Sequence, residues 1–329
     1  MTRRVLVTGV TGQDGVLLAR RLQAAGDTVI GTVRPATTSP MQTYLDGVEL
    51  VDLDLRDPAG PEKVVEAVAP DEIFHLAGFT SVRDSWDAPE EVTEVNVAAV
   101  ERLLGAVERH APDSRVFLAS SSEVYGPDAT NPQTEETPLA PVSPYGQAKA
   151  RLHGLAADHR AAGRHVSVGV LYNHESPIRG TGFVTRRISR RVAQIAAGRA
   201  DRLTLGNLDV SRDWGAATDV VDAMVRMVRA DTPGEYVVAT GVLHTLRELV
   251  EAAFAVADLP EPWTYVEQDP DLVRPVDAPG ACGDPSRART ALGWEPTTTF
   301  AEVVGAMVRA DQERLRRGID EHPDYLSVR

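Results

Sequence analysis

The feature that most restricts how this chain can fold lies near its start. A short apolar run, Val5-Leu-Val7, leads into Thr8-Gly9-Val-Thr11-Gly12-Gln13-Asp14-Gly15, and a segment with helical spacing of apolar residues follows over 16–22. Strand, glycine turn and helix in this order predict the first βα unit of a parallel sheet. Glycines at 9, 12 and 15 permit a tight turn and a close approach of backbone to a ligand. The N-terminus of the helix then offers free N–H groups to an anion. The pattern predicts a dinucleotide-binding turn built from Gly9, Thr11, Gly12, Gln13, Asp14 and Gly15.

The alternation continues. Residues 28–33, 48–53, 72–76, 116–119 and 165–171 read as strands, and 61–68, 90–109 and the segment from Tyr145 read as helices. The predicted fold class is α/β, a doubly wound parallel (Rossmann) sheet with a smaller, mostly helical C-terminal substrate domain. Beyond residue 172 strands become sparse and Arg-rich helical segments appear, such as 183–198, while 236–239 reads as a strand returning to the first domain. The expected division is 1–172, with the return of about 214–246, for the cofactor, and 173–329 for the substrate, interleaved. Ligands of such sheets bind beyond the C-terminal ends of strands, so Asp54, Leu55, Leu76 and Ala77 are candidate cofactor contacts. Arg34 closes the second strand where an acidic residue would hold ribose hydroxyls. An arginine there accommodates a 2′-phosphate and predicts NADP, the alternative being a solvated loop residue.

A second stretch carries the chemistry. It begins Ser120-Ser121-Ser122-Glu123 and ends Tyr145-Gly-Gln-Ala-Lys149. On a helix Tyr145 and Lys149 are neighbours one turn apart, and a cation beside a phenol favours the phenolate, giving a base usable nearer neutral pH. The chain has seven Tyr and only two Lys, Lys63 and Lys149, so the spacing seldom arises by chance. All its other strongly basic residues are Arg, and Lys supplies a titratable amine that Arg does not. The alternative is a surface Lys one turn from a buried Tyr.

A net charge of −14 argues against nucleic acid or an anionic membrane as partner. One cysteine, Cys282, forms no internal disulfide and makes no Cys-rich metal site, and no metal centre is predicted. No apolar run approaches a membrane span, and Met1-Thr-Arg-Arg leads straight into a strand, so a cytoplasmic location is expected.

These residues resemble an extended short-chain dehydrogenase/reductase acting on a nucleotide sugar. Leu171-Tyr-Asn-His-Glu-Ser-Pro177, Arg179-Gly180, Phe183-Val-Thr-Arg-Arg-Ile188, Gly206-Asn-Leu-Asp209 and Arg212-Asp-Trp-Gly215, with Thr11-Gly-Gln-Asp-Gly15, narrow the resemblance to the GDP-mannose 4,6-dehydratase family. The resemblance implies Tyr145 as base for the sugar's 4-hydroxyl, Lys149 tuning it and meeting the nicotinamide ribose, Ser121 holding the same hydroxyl, and Glu123 removing the proton of carbon 5. Residues 121 and 123 on an extended segment would point to one side. Asn173, Arg187, Arg212, Arg274 and Asp277 match positions that hold the nucleotide sugar.

Three departures stand out. Ser121 replaces the family's usual threonine, as in reductases of the superfamily, so a 4-keto reductase or an epimerase is the rival activity and a non-enzymatic nucleotide-binding regulator a more distant one. Arg187 and Asp277 replace the family's Lys and Glu. The loop after Arg34-Pro35 lacks the long insertion associated with family tetramers, which points to a homodimer built from the helices near 90–109 and 145–160.

Overall fold

Because each strand of the first half is followed by a helix or a long crossover, every pairing in the main sheet is parallel. The computed structural model describes residues 2–272 and 280–328. Its first half runs β1 (Arg4–Thr8), α1 (Gln13–Ala24), β2 (Thr28–Val33), β3 (Glu49–Asp52), α2 (Gly60–Val68), β4 (Glu72–His75), α3 (Pro89–Thr93), α4 (Ala99–His110), β5 (Arg115–Ser121), α5 (Pro144–Ala161) and β6 (Val166–Leu171). The second half adds β7 (Asn173–Glu175), α6 (Val184–Ala196), β8 (Leu203–Leu205), β9 (Ser211–Arg212), β10 (Trp214–Ala216), α7 (Ala217–Arg229), β11 (Glu235–Val238), β12 (His244–Thr245), α8 (Leu246–Val256), β13 (Val266–Gln268), β14 (Gly280–Ala281), α9 (Ser286–Leu292) and α10 (Phe300–Arg317).

The sheet order is β11-β6-β5-β4-β1-β2-β3, the doubly wound pattern. Period-2 alternation sends neighbouring residues of one strand to opposite faces. Phe117 belongs to one buried apolar cluster with Leu18 of α1 and Met224 of α7, whereas Leu118 belongs to another with Leu104 of α4 and Leu152 of α5. A separate apolar cluster, including Ile188, Val250 and Val308, joins α6, α8 and α10. Helices α8 and α10 both start in capping boxes, Thr245 with Glu248 and Thr299 with Glu302, which satisfy free N–H groups reciprocally. No helix among the described residues is long and apolar enough to cross a membrane.

Three details differ from the sequence expectation. The helix expected over 90–109 is interrupted by a π-turn, Glu94–Ala98, between α3 and α4. The extra residue turns Asn96 inward, where its amide accepts from Phe79 N (2.7 Å) and donates to Phe79 O (3.0 Å). Helix α1 begins at Gln13 instead of Val16, which puts Gln13 and Asp14 in its first turn. The second half also holds more strand than expected, as two- and three-residue pieces paired in small sheets.

Candidate active site

The β1–α1 turn is shaped for close approach. Gly9 has φ +71°, a left-handed conformation, and a Cβ on it would come within 2.8 Å of Ala77 N. A Cβ on Gly15 would collide with the Gly9 carbonyl and lie 2.6 Å from Val10 Cα. Thr8 Oγ1 accepts from both Leu76 N and Ala77 N at 3.1 Å, which draws the end of β4 to the turn. Arg34 is exposed past β2, beside Asp54, whose carboxylate is held to about 2 by the Arg56 side chain and backbone, with a weaker contribution from Arg34. Among the other expected cofactor contacts, the Leu55 side chain is buried in the core under α2 and α4, which leaves only its backbone for a ligand.

The Gln13 and Asp14 side chains, in the turn expected to bind the cofactor, are engaged inside the protein. Gln13 Nε2 donates to His174 O (3.1 Å), and Gln13 Oε1 accepts from Ser176 Oγ (2.8 Å). Asp14 Oδ2 lies 2.9 Å from His174 Nε2. Burial pushes the Asp14 carboxyl up, yet the facing His174 and, further off, Arg179 hold it below the usual carboxylate range. The same pair raises His174 against the effect of its own burial. The turn and the Asn-His-Glu-Ser-Pro segment are thereby locked together.

The end of β5 and the start of α5 bring the candidate catalytic residues together. Ser143 caps α5, its Oγ accepting from Gly146 N (3.0 Å), and Pro144 at the first helical position is pre-set for the helix. This places Tyr145 and Lys149 one turn apart, with Lys149 Nζ 5.7 Å from the Tyr145 ring centroid. Lys149 Nζ donates to Ala119 O at 2.7 Å. Ser121 hydrogen-bonds the Tyr145 hydroxyl, and the Glu123 charge is felt by it. Residues 121 and 123 do not share an extended segment as expected: the chain turns into a 3₁₀ helix, Ser122–Val124, in which Ser121 Oγ accepts from Glu123 N (3.3 Å). It is this turn that brings Glu123 near Tyr145.

Tyr145 is not shifted toward neutrality as the Tyr/Lys spacing predicted. Burial pushes it up to about 12; the Ser121 hydrogen bond opposes this, Glu123 adds to it, and Arg179 offsets part of it. Burial also lowers Lys149 to about 8, which weakens its ammonium as a counter-charge. Arg179 stacks on Phe183, its Cζ 3.4 Å from the ring centroid, and its Nε is 3.2 Å from Glu175.

Of the expected substrate residues, Asn173 is half-buried on β7, Arg187 is exposed on α6 and Arg212 is half-buried on β9. Trp214 pairs with Asn173 across β10 and β7, which brings Arg212 and Asn173 into one region. Arg274 and Asp277 lie outside the described residues.

The family model described as GDP-mannose 4,6 dehydratase matches residues 6–307. The chain belongs to the GDP-mannose 4,6-dehydratase family. It is 37% identical over 342 residues to a Drosophila melanogaster GDP-mannose 4,6 dehydratase, covering 95% of this chain and 87% of that one. It is 36% identical over 340 residues to a Sordaria araneosa GDP-mannose 4,6-dehydratase, covering 96% of this chain but 62% of the relative's length. Among solved structures, RMD from Pseudomonas aeruginosa complexed with NADPH superposes with a TM-score of 0.80 at 27% identity, over 95% of this chain and 99% of that one. Within this GDP-mannose 4,6-dehydratase family member, sequence reasoning quoted His174 and Arg179 but gave them no role. The structure sets His174 against the glycine turn and Arg179 within electrostatic reach of Tyr145. The signal was present, since both fall in the motif block that carried the resemblance.

Proposed function

We propose that the chain is a nucleotide-sugar 4,6-dehydratase that converts GDP-mannose to GDP-4-keto-6-deoxymannose with NADP as its resident cofactor. The observation that carries this reading is the convergence of Ser121, Glu123, Tyr145 and Lys149 at one strand end, in a chain of the GDP-mannose 4,6-dehydratase family. The glycine turn, where a Cβ at 9 or 15 would strike the backbone of Ala77 or of Gly9 and Val10, packs tightly against β4 and leaves the N-terminus of α1 as the part of the site suited to a pyrophosphate. Bound NADP supplies the acceptor for the hydride leaving carbon 4 and the donor for its return at carbon 6.

The chain's own residues do the rest. Tyr145 takes the proton of the 4-hydroxyl, and Ser121 holds that hydroxyl in line with the phenol. Lys149, tied to Ala119 O, stands one turn from the ring and meets the nicotinamide ribose. A carbonyl at carbon 4 acidifies carbon 5, where Glu123 removes the proton and water departs from carbon 6. Gly9, Gly12, Gly15 and Thr11 cradle the pyrophosphate, with Asp54, Leu76 and Ala77 lining the adenosine side. Asn173, Arg187, Arg212, Arg274 and Asp277 hold the nucleotide diphosphate and sugar, arginine forks being suited to paired bonds with phosphate. The division of labour assigns 1–172 and about 214–246 to the cofactor and the remainder to the sugar nucleotide. Turnover of GDP-mannose to a product lighter by one water, with no added cofactor, tests the reading.

Arg34 is the proposed reader of the 2′-phosphate. Arg34→Ala is expected to weaken NADP by about 10–100-fold, the worth of a charged hydrogen bond, and to leave NAD nearly unchanged. Calorimetry showing equal affinity of the wild type for both cofactors would remove this assignment.

We also propose a cytoplasmic homodimer built through the helices near 90–109 and 145–160. The short segment after Arg34 is folded onto its own chain, with Tyr44 Oη donating to Glu321 Oε2 (2.7 Å) and accepting from His322 N (3.2 Å). That arrangement supports the absence of an arm reaching a third subunit. Light scattering should give twice 35.5 kDa at all concentrations tested, and a stable tetramer would refute it.

A further inference from the structure

The face of α5 that carries Tyr145 and Lys149 carries a third polar residue one turn on, His153, which the reaction above does not use. The residue is 8% exposed and its ring is bonded at both nitrogens. Nε2 lies 2.8 Å from Ser120 Oγ on β5, and Nδ1 lies 2.8 Å from Glu235 Oε2 at the start of β11. The other Glu235 oxygen accepts from Arg160 NH2 (2.7 Å), near the end of the same helix. A carboxylate only accepts, so Nδ1 carries a proton, and in the neutral ring Nε2 accepts from the Ser120 hydroxyl.

The connectivity Ser-His-Glu is that of a hydrolase triad, but Ser120 is 3% exposed and has no room for an acyl group. What the array does hold lies on either side of Ser120. The Ala119 carbonyl accepts from Lys149 Nζ, and Ser121 bonds the Tyr145 hydroxyl. Three consecutive residues of β5 thus meet three successive turns of α5: Ser121 with Tyr145, Ala119 with Lys149, and Ser120 with His153. Of these ties, only the last lies wholly behind the reacting groups.

We infer that His153 is a positioning residue whose hydrogen bond to Ser120 sets α5 against the end of β5, and so sets Tyr145 and Lys149 relative to Ser121. The inference deepens the dehydratase reading and rests on it for its kinetic arm. Glu235 and Arg160 orient the ring, and the Ser120 bond transmits the position. Misplacing a reacting group by about 1 Å can cost on the order of 10²-fold in rate.

Glutamine places its amide where Nε2 stands and asparagine where Nδ1 stands, so the two separate the bonds. His153→Gln keeps the Ser120 bond and loses the Glu235 bond; His153→Asn does the reverse. The wild type, both variants and His153→Ala are compared for kcat and KM with GDP-mannose and for NADP retained through dialysis. His153→Asn and His153→Ala should lose about 10–100-fold in kcat with KM changed less than about threefold, and should shed NADP faster, while His153→Gln stays within about threefold of wild type on all three. Equal kcat for the Gln and Asn variants, or near-wild-type kcat for the Asn variant, overturns the inference, and a shared fall in unfolding midpoint would then mark a purely structural role. Should the wild type not turn over GDP-mannose, it is the dehydratase reading that fails, and NADP retention alone decides: equal retention by the Gln and Asn variants overturns the positioning role.

Discussion

Glu123→Gln is expected to stop the reaction half-way, with reduced cofactor building up on the enzyme. The substitution keeps the side chain's shape and the turn in which Glu123 N donates to Ser121 Oγ, but removes the carboxylate proposed to accept the proton of carbon 5. Tyr145 and Ser121 are untouched, so oxidation at carbon 4 proceeds while elimination stalls. Tyr145→Phe removes the proposed first base and should leave the cofactor oxidised. Loss of one positioned base typically costs about 10²–10⁴-fold in rate. Single-turnover absorbance of reduced nicotinamide reads both outcomes. Near-wild-type turnover by Glu123→Gln with no trapped reduced cofactor would mean that Glu123 only shapes the turn, and would move the chain toward a reductase or epimerase.

The largest stability effect is expected at Asp311, far from the reacting atoms. Its carboxylate is 1% exposed and accepts from Arg186 Nε at 3.0 Å on both oxygens, with Arg186 NH2 at 2.8 Å, Ser189 Oγ at 2.6 Å and Arg314 NH1 at 3.4 Å. Arg186 in turn donates to the Pro177 and Arg179 carbonyls. Asp311→Ala leaves a buried guanidinium without its counter-charge, which typically costs about 3–5 kcal/mol. The exposed Asp231→Ala should move stability by no more than about 0.5 kcal/mol. Urea midpoints compare the two; equal midpoints would show that the α6–α10 contact does not depend on this pair. Since Arg186 holds the turn that ends in Arg179, the Asp311 variant should also lose activity before it unfolds.

The parallel sheet was legible because its strands are apolar runs between glycine or polar turns, and β2 falls on the expected residues 28–33. The meeting of Tyr145 and Lys149 with the end of β5 was legible because the spacing along a strand end and one helix turn is local. What escaped was non-local. Gln13 and Asp14 find their partners about 160 residues away, at Ser176 and His174, and no periodicity carries that information. The short strands β7 to β10 take their form from partners elsewhere in the chain. The π-turn follows from a tertiary demand, the Phe79 backbone, that overrides helix propensity at Asn96. The shift of Tyr145 was missed because spacing shows a neighbouring cation but not the burial that outweighs it.

The central claim is that this chain moves hydrogen from carbon 4 to carbon 6 of one sugar while water is lost. The measurement that tests it most directly uses GDP-mannose carrying deuterium at carbon 4, incubated with the purified protein and no added cofactor, with the product weighed and its label located by NMR. The account predicts a product lighter by one water with the deuterium retained at carbon 6. Unchanged mass, or conversion only when reduced cofactor is added in stoichiometric amount, would contradict it.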